Sequence, residues 1–135
     1  MSGLLLDTHT LIWMAEDDKR LGKKARQLIS QAHADGTLHV SAISFWEIGM
    51  LIAKQKISLP RPPDFWRVDI LNAGVLEVGI SGEMAVLSTQ LDWQHQDPAD
   101  RIICATAMLQ GMHVLTADQI ILGWKQLPNT LNAKA

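Results

Sequence analysis

The sequence predicts an α/β sandwich, a parallel β-sheet with α-helices on both faces, and three observations carry that prediction. Short apolar runs without alternation, such as "LLL" at 4–6, read as strands buried on both faces. Longer stretches between them repeat apolar residues at helical spacing. The two patterns alternate along the chain, as they do where helices connect parallel strands. With 135 residues, 47% of them hydrophobic and no internal repeat, the chain has the size and composition of a single domain spanning 1–135.

Each element follows from local chemistry. The strand at 4–6 stops at Asp7, and Thr8 is expected to cap a helix carrying Leu11, Ile12 and Met14. Leu21, Ala25, Leu28, Ile29 and Ala32 mark a second helix, stopped by "ADG" at 34–36. "LHVSA" at 38–42 is a strand, and Ser44 opens a helix with Trp46, Ile48, Leu51 and Ile52 on it. "LPRPP" at 59–63 breaks the pattern. A helix over 64–72 ends at Gly74, "VLEVGI" at 75–80 is a strand, and Ser81 opens a helix over 81–91. "HQDPADRIICATA" at 95–107 starts a further helix, with Asp97 at the N-cap position and Pro98 at the first helical position. Gly111 closes it, and "HVLT" at 113–116 is the last expected strand.

Composition excludes several classes. A net charge of −2 argues against a protein that grips nucleic acid through a broad basic surface. It leaves room for an enzyme in which bound cations meet the phosphate. Cys104 is the single cysteine, so no internal disulfide forms, and its apolar neighbours make it a small core residue. The first apolar run is too short for a signal-peptide core and no run approaches a membrane span, so a cytoplasmic protein is expected.

Four acids stand out: Asp7 after the first strand, Glu47 in the third helix, Asp100 beside Asp97, and Asp118 after "HVLT". In open parallel sheets, sites form beyond the carboxyl ends of strands, where Asp7 and Asp118 both stand. Each acid also has a structural reading. "SFWE" at 44–47 fits a capping box, in which Glu47 bonds back to Ser44. Asp118 suits the N-cap of a short helix, and spacing alone allows either Asp97 or Asp100 to be the cap or the ligand.

Four segments taken in order, "LLLDTHTLIW" at 4–13, "VSAISFWEIGML" at 40–51, "HQDPADRIICATA" at 95–107 and "HVLTAD" at 113–118, resemble those of PIN-domain ribonucleases. The likeness is strongest to the VapC-type toxins of bacterial toxin-antitoxin pairs and covers nearly the whole chain. It implies a single PIN-like domain and a metal-dependent endoribonuclease that hydrolyses RNA phosphodiester bonds. Carried over by position, the metal-binding and catalytic carboxylates are Asp7, Glu47, Asp100 and Asp118, with Thr8, Asp97 and Thr116 supporting them. Oxygen-only ligands suit Mg²⁺ or Mn²⁺ better than zinc, and clustered carboxylates need a cation to offset their repulsion. The implied partners are RNA and a small antitoxin, and a homodimer is expected.

Other residues are weighed against this set. His9, His95 and His113 match no zinc-binding spacing and are set aside as ligands. Trp13 and Trp46 are candidates for a partner surface, while the remaining tryptophans read as anchors in apolar helices. Lys19, Arg20, Lys23, Lys24 and Arg26 form a solvated basic face. Arg101 is a candidate for a substrate phosphate or for an ion pair with Asp97. A phosphatase of the haloacid-dehalogenase type needs a second aspartate two residues after the first, where this chain has His9. A catalytically inactive PIN-like binding module is the non-enzymatic alternative. It would have little reason to keep a set of mutually repelling carboxylates.

Overall fold

The computed structural model describes residues 3–127 and 129–135. β1 (Leu4–Leu6) leads into α1 (Thr8–Glu16) and α2 (Lys23–Asp35), and β2 (Leu38–Ser41) into α3 (Ala42–Ala53) and α4 (Pro63–Asn72). β3 (Leu76–Val78) is followed by α5 (Gly82–Gln90) and α6 (Pro98–Gln110), and β4 (His113–Thr116) by α7 (Gln119–Leu122) and β5 (Leu131–Asn132). The strands form one sheet in the order β3-β2-β1-β4-β5, with every neighbouring pair parallel.

The continuous apolar run of β1 has a direct structural cause. Leu4 and Leu6 pack into a core with Leu11 and Trp13 of α1, Ala25 and Ile29 of α2, Ile48 of α3, and Trp66 and Ile70 of α4. Leu5, on the opposite face, packs with Ile103, Cys104 and Ala107 of α6 and with Ile121 and Trp124. Both faces of the strand are covered, so neither can be polar. Cys104 is the core residue its neighbours predicted, fully buried, with its thiol pushed up by burial.

Several boundaries differ from expectation. α1 is capped by Asp7, whose Oδ1 accepts the Thr10 N–H at 3.0 Å, and Thr8 is already helical. α3 starts at Ala42 with Ser41 as its cap, accepting the Ile43 N–H at 3.1 Å. The Ser44–Glu47 capping box therefore does not form, because the cap position is taken by Ser41 and Ser44 is already the third residue of the helix. Ser81 and Asp97 cap as expected, accepting from the N–H groups of Met84 and Asp100. α6 ends at Gly111 with φ +66°, a left-handed position that favours glycine. The strand expected over 75–80 is only Leu76–Val78, a short edge strand with Leu76 exposed.

β5 has no counterpart in the expected element list, since two residues show no periodicity. It runs beside β4 and brings the last residues back against α2. Gly22 donates to the Ala133 carbonyl at 2.8 Å and Ala25 to the Ala135 carbonyl at 3.1 Å. A Cβ on Gly22 would lie 2.0 Å from the Ala135 carbonyl oxygen, so glycine permits the close approach. The sheet order makes the β1/β4 boundary the point where the connections leave in opposite directions, and the candidate site opens at their carboxyl ends.

Candidate metal centre

Five carboxylates line one cavity of about 270 Å³: Asp7, Glu47, Asp97, Asp100 and Asp118, with Thr8, His9, Trp13 and Lys134 completing much of its wall. The four acids singled out in the sequence therefore line one cavity, coming from the residue after β1, from α3 and α6, and from the turn after β4.

Asp7 is the most enclosed of the site acids, 4% exposed. Its Oδ2 accepts a bond from the Thr116 hydroxyl, and the same hydroxyl oxygen accepts the Asp118 N–H at 3.0 Å. Thr116 thus ties the ends of β1 and β4 together. Asp118 also caps α7, its Oδ1 accepting the Ile120 N–H at 2.7 Å. The structural and pocket readings of Asp118 hold together, because a cap occupies only part of a carboxylate's acceptor capacity. Thr8 donates to the buried Ser44 hydroxyl at 2.9 Å, which packs the start of α1 against α3.

The electrostatics are those of an anion cluster in which acids outnumber cations, with five carboxylates facing the single lysine of the lining, Lys134. Burial raises Asp7 above the ordinary carboxylate range, against the hydrogen bonds from Thr10 and Thr116 that lower it. Glu47 is also raised by burial, with Thr8 opposing and Asp97 and Asp7 adding repulsion. Asp100 is pushed up to about 7 by burial, despite its bond to His95, with Asp97, Asp7 and Glu47 contributing. Glu47 Oε1 is buried with no hydrogen-bond partner among the described residues. A buried acceptor left open on one of three raised carboxylates fits a hard divalent cation, which would supply both a ligand bond and further positive charge.

Arg101 does not form the ion pair with Asp97 and does not line this cavity. Its guanidinium donates to the carbonyls of Ser88, Leu91, Trp93 and His95 at 2.7–3.1 Å. The cation on the cavity wall is instead Lys134, carried there by the tail beyond β5. No motif marks Lys134, because its place depends on the packing of that tail on Gly22. His95 has no zinc-binding spacing in the sequence, yet its Nε2 lies 2.7 Å from Asp100 Oδ2. Zinc-ligand spacing carries no signal for a histidine that serves a carboxylate.

Of the two tryptophans considered for a partner surface, Trp13 is buried and faces the core and the cavity, whereas Trp46 is 50% exposed. The basic face is partly paired: Arg20 bonds the Asp18 carboxylate and Arg26 that of Asp17, while Lys19, Lys23 and Lys24 remain exposed. No helix among the described residues is long and apolar enough to cross a membrane.

The profile of the PIN domain matches residues 4–123. Ribonuclease VapC22 of Mycobacterium tuberculosis is 37% identical over 120 residues, 88% of this chain and 89% of that protein. The chain is a PIN domain of the VapC ribonuclease type. The fold of this PIN domain is shared with solved assemblies of low sequence identity. A toxin-antitoxin complex from Klebsiella pneumoniae aligns with a TM-score of 0.64 at 20% identity, covering 96% of each chain. A DNA-bound VapBC from Salmonella typhimurium aligns with a TM-score of 0.68 at 18% identity, covering 98% of this chain and 97% of that one. The PIN assignment sets aside the haloacid-dehalogenase alternative.

Proposed function

We propose that this PIN domain is a metal-dependent endoribonuclease acting as the toxin of a type II toxin-antitoxin pair in the cytoplasm, with Asp7, Glu47, Asp100 and Asp118 as its metal-binding carboxylates. The observation that carries the reading is the convergence of these acids on one cavity, with one buried oxygen unpartnered and three carboxylates raised. Mg²⁺ or Mn²⁺, when bound, supplies an oriented and acidified water and offsets charge on the scissile phosphate. The protein's part is positional. Thr116 fixes Asp7 and the backbone of Asp118, Asp97 fixes the start of α6 so that Asp100 stays in the cavity wall, and Thr8 locks α1 to α3. Lys134 is the side chain placed to meet an RNA phosphate. Arg101 serves the substrate side indirectly, by holding the segment that ends at His95.

The protein partners in this reading are an antitoxin and a second copy of the chain. The exposed Trp46 and Met50 of α3 are the apolar side chains offered for such contact. Incubating purified protein with single-stranded RNA and Mg²⁺ or Mn²⁺ tests the activity. Cleavage that stops with a chelator and returns with metal is expected, and cleavage undiminished in excess chelator rejects the mechanism. Full binding of antitoxin by a protein with no metal-dependent cleavage favours the inactive-module reading.

A further inference from the structure

His95 belongs to a segment, 91–97, with no helix or strand, yet it is held from two sides. Its ring lies 4.8 Å from that of Trp93 at a tilt of 56°, and Trp93 stacks on Trp124 at 4.4 Å and 11°. The Trp124 indole N–H donates to the Asp92 carbonyl at 3.2 Å. From the other side, Arg101 donates to the Trp93 carbonyl at 2.8 Å and to that of His95 at 2.9 Å. The result is a fixed imidazole whose Nε2 meets Asp100 Oδ2, both side chains being 14% exposed. In the ionised form that binds a cation the carboxylate only accepts, and the contact is then a ring N–H donating to Oδ2.

Two facts connect this arrangement to the cavity rather than to loop packing alone. One ligand atom from each of His95, Asp100 and Asp118 lies within 4.8 Å of the others. The second oxygen of Asp100 takes no hydrogen bond among the described residues, so the contact with His95 occupies one oxygen and leaves the other open.

We infer that His95 is a positioning residue of the metal pocket: by tying Oδ2 it sets the rotation of the Asp100 carboxylate and reserves the remaining oxygen for a cation. This rests on the reading of the cavity as a metal centre. A carboxylate held by one hydrogen bond has less rotational freedom to lose on binding a cation, which is how hydrogen-bond partners behind metal ligands raise affinity. Trp93, Trp124 and Arg101 act one step further out, by fixing where His95 stands.

The test is Mn²⁺ affinity, measured by calorimetry on the whole chain, for the wild type and for His95→Ala, His95→Met and His95→Gln. Ala and Met remove the donor, and Met still fills space against Trp93 if the Ala variant does not fold. Both donorless variants are expected to bind Mn²⁺ about 10- to 100-fold more weakly. Gln restores an N–H donor and is expected to recover most of that loss. Unchanged binding by the donorless variants overturns the inference. So does a Gln variant as weak as Met, which points to the imidazole as a direct metal ligand or to loop packing. A folded wild type that binds no Mn²⁺ is a separate failure, that of the metal-centre reading itself, and it removes the inference too.

Discussion

The Thr116 hydroxyl donates to the Asp7 carboxylate across 109 residues of sequence, joining the carboxyl ends of the central strand β1 and its neighbour β4. Because the same oxygen also accepts the Asp118 N–H, one side chain aligns two of the site's acids. Thr116→Val keeps the shape and removes both bonds. The buried Asp7 Oδ2 then loses its donor, and a stability loss of about 1–3 kcal/mol is expected by urea denaturation in chelator. Mn²⁺ affinity should fall as well, since Asp7 and Asp118 lose their common anchor. Wild-type stability in this variant contradicts the tie.

Asp100 supplies a pH dependence whose sign is fixed. Its carboxyl is raised from 3.8 to about 7 in the folded protein, so between those values the unfolded chain gives up a proton that the folded chain retains. Without metal, this group makes no difference to stability below about pH 4. It lowers stability progressively as pH rises toward 7, and the effect is then constant. The melting temperature in chelator should therefore fall over that range by a smaller amount in Asp100→Asn. Added Mn²⁺ should raise it most at pH 8, where the carboxylates are ionised. Equal pH slopes for the two proteins count against the burial of this charge.

The two aspartates of "DPAD" separate in their consequences. Asp97→Ala removes the cap that accepts the Asp100 N–H at 2.9 Å and should cost about 1 kcal/mol, with metal-dependent cleavage largely retained at low temperature. Asp100→Ala should abolish cleavage while the metal-free fold persists or gains stability, because a repelling charge is gone. Melting temperature and RNA cleavage, measured side by side, check both. The reverse pattern assigns the pair the other way.

Gly22→Ala probes the tail. A Cβ there meets the backbone oxygen of Ala135 at 2.0 Å, so the last residues must move and carry Lys134 away from the cavity. A loss of about 1–3 kcal/mol is expected from the clash, together with a raised KM for RNA and unchanged Mn²⁺ affinity. A parallel loss of Mn²⁺ affinity would show that the tail supports the acids themselves.

Much of the molecule is decided locally. The uninterrupted "LLL", the helical spacing of Leu21, Ala25, Leu28 and Ile29, the caps at Ser81 and Asp97 and the stop at Gly111 follow from steric and hydrogen-bonding rules acting over a few residues. Asp7 and Asp118 were also conspicuous, because a strand's end is visible in the sequence. The tertiary structure decided the rest, since it chooses among partners that local rules leave equal. Ser44 and Glu47 have the spacing of a capping box, but the helix begins at Ala42, so Ser44 instead meets Thr8 and Glu47 enters the cavity. Arg101 had a neighbouring acid in sequence and four carbonyls in space, and the planar guanidinium took the carbonyls. His95 and Lys134 acquire their places only through a segment clamped by Arg101 and a tail seated on Gly22. Hydrophobic period specifies which face of an element is buried, whereas the partner of a polar side chain depends on atoms that only the packed chain brings within hydrogen-bonding distance.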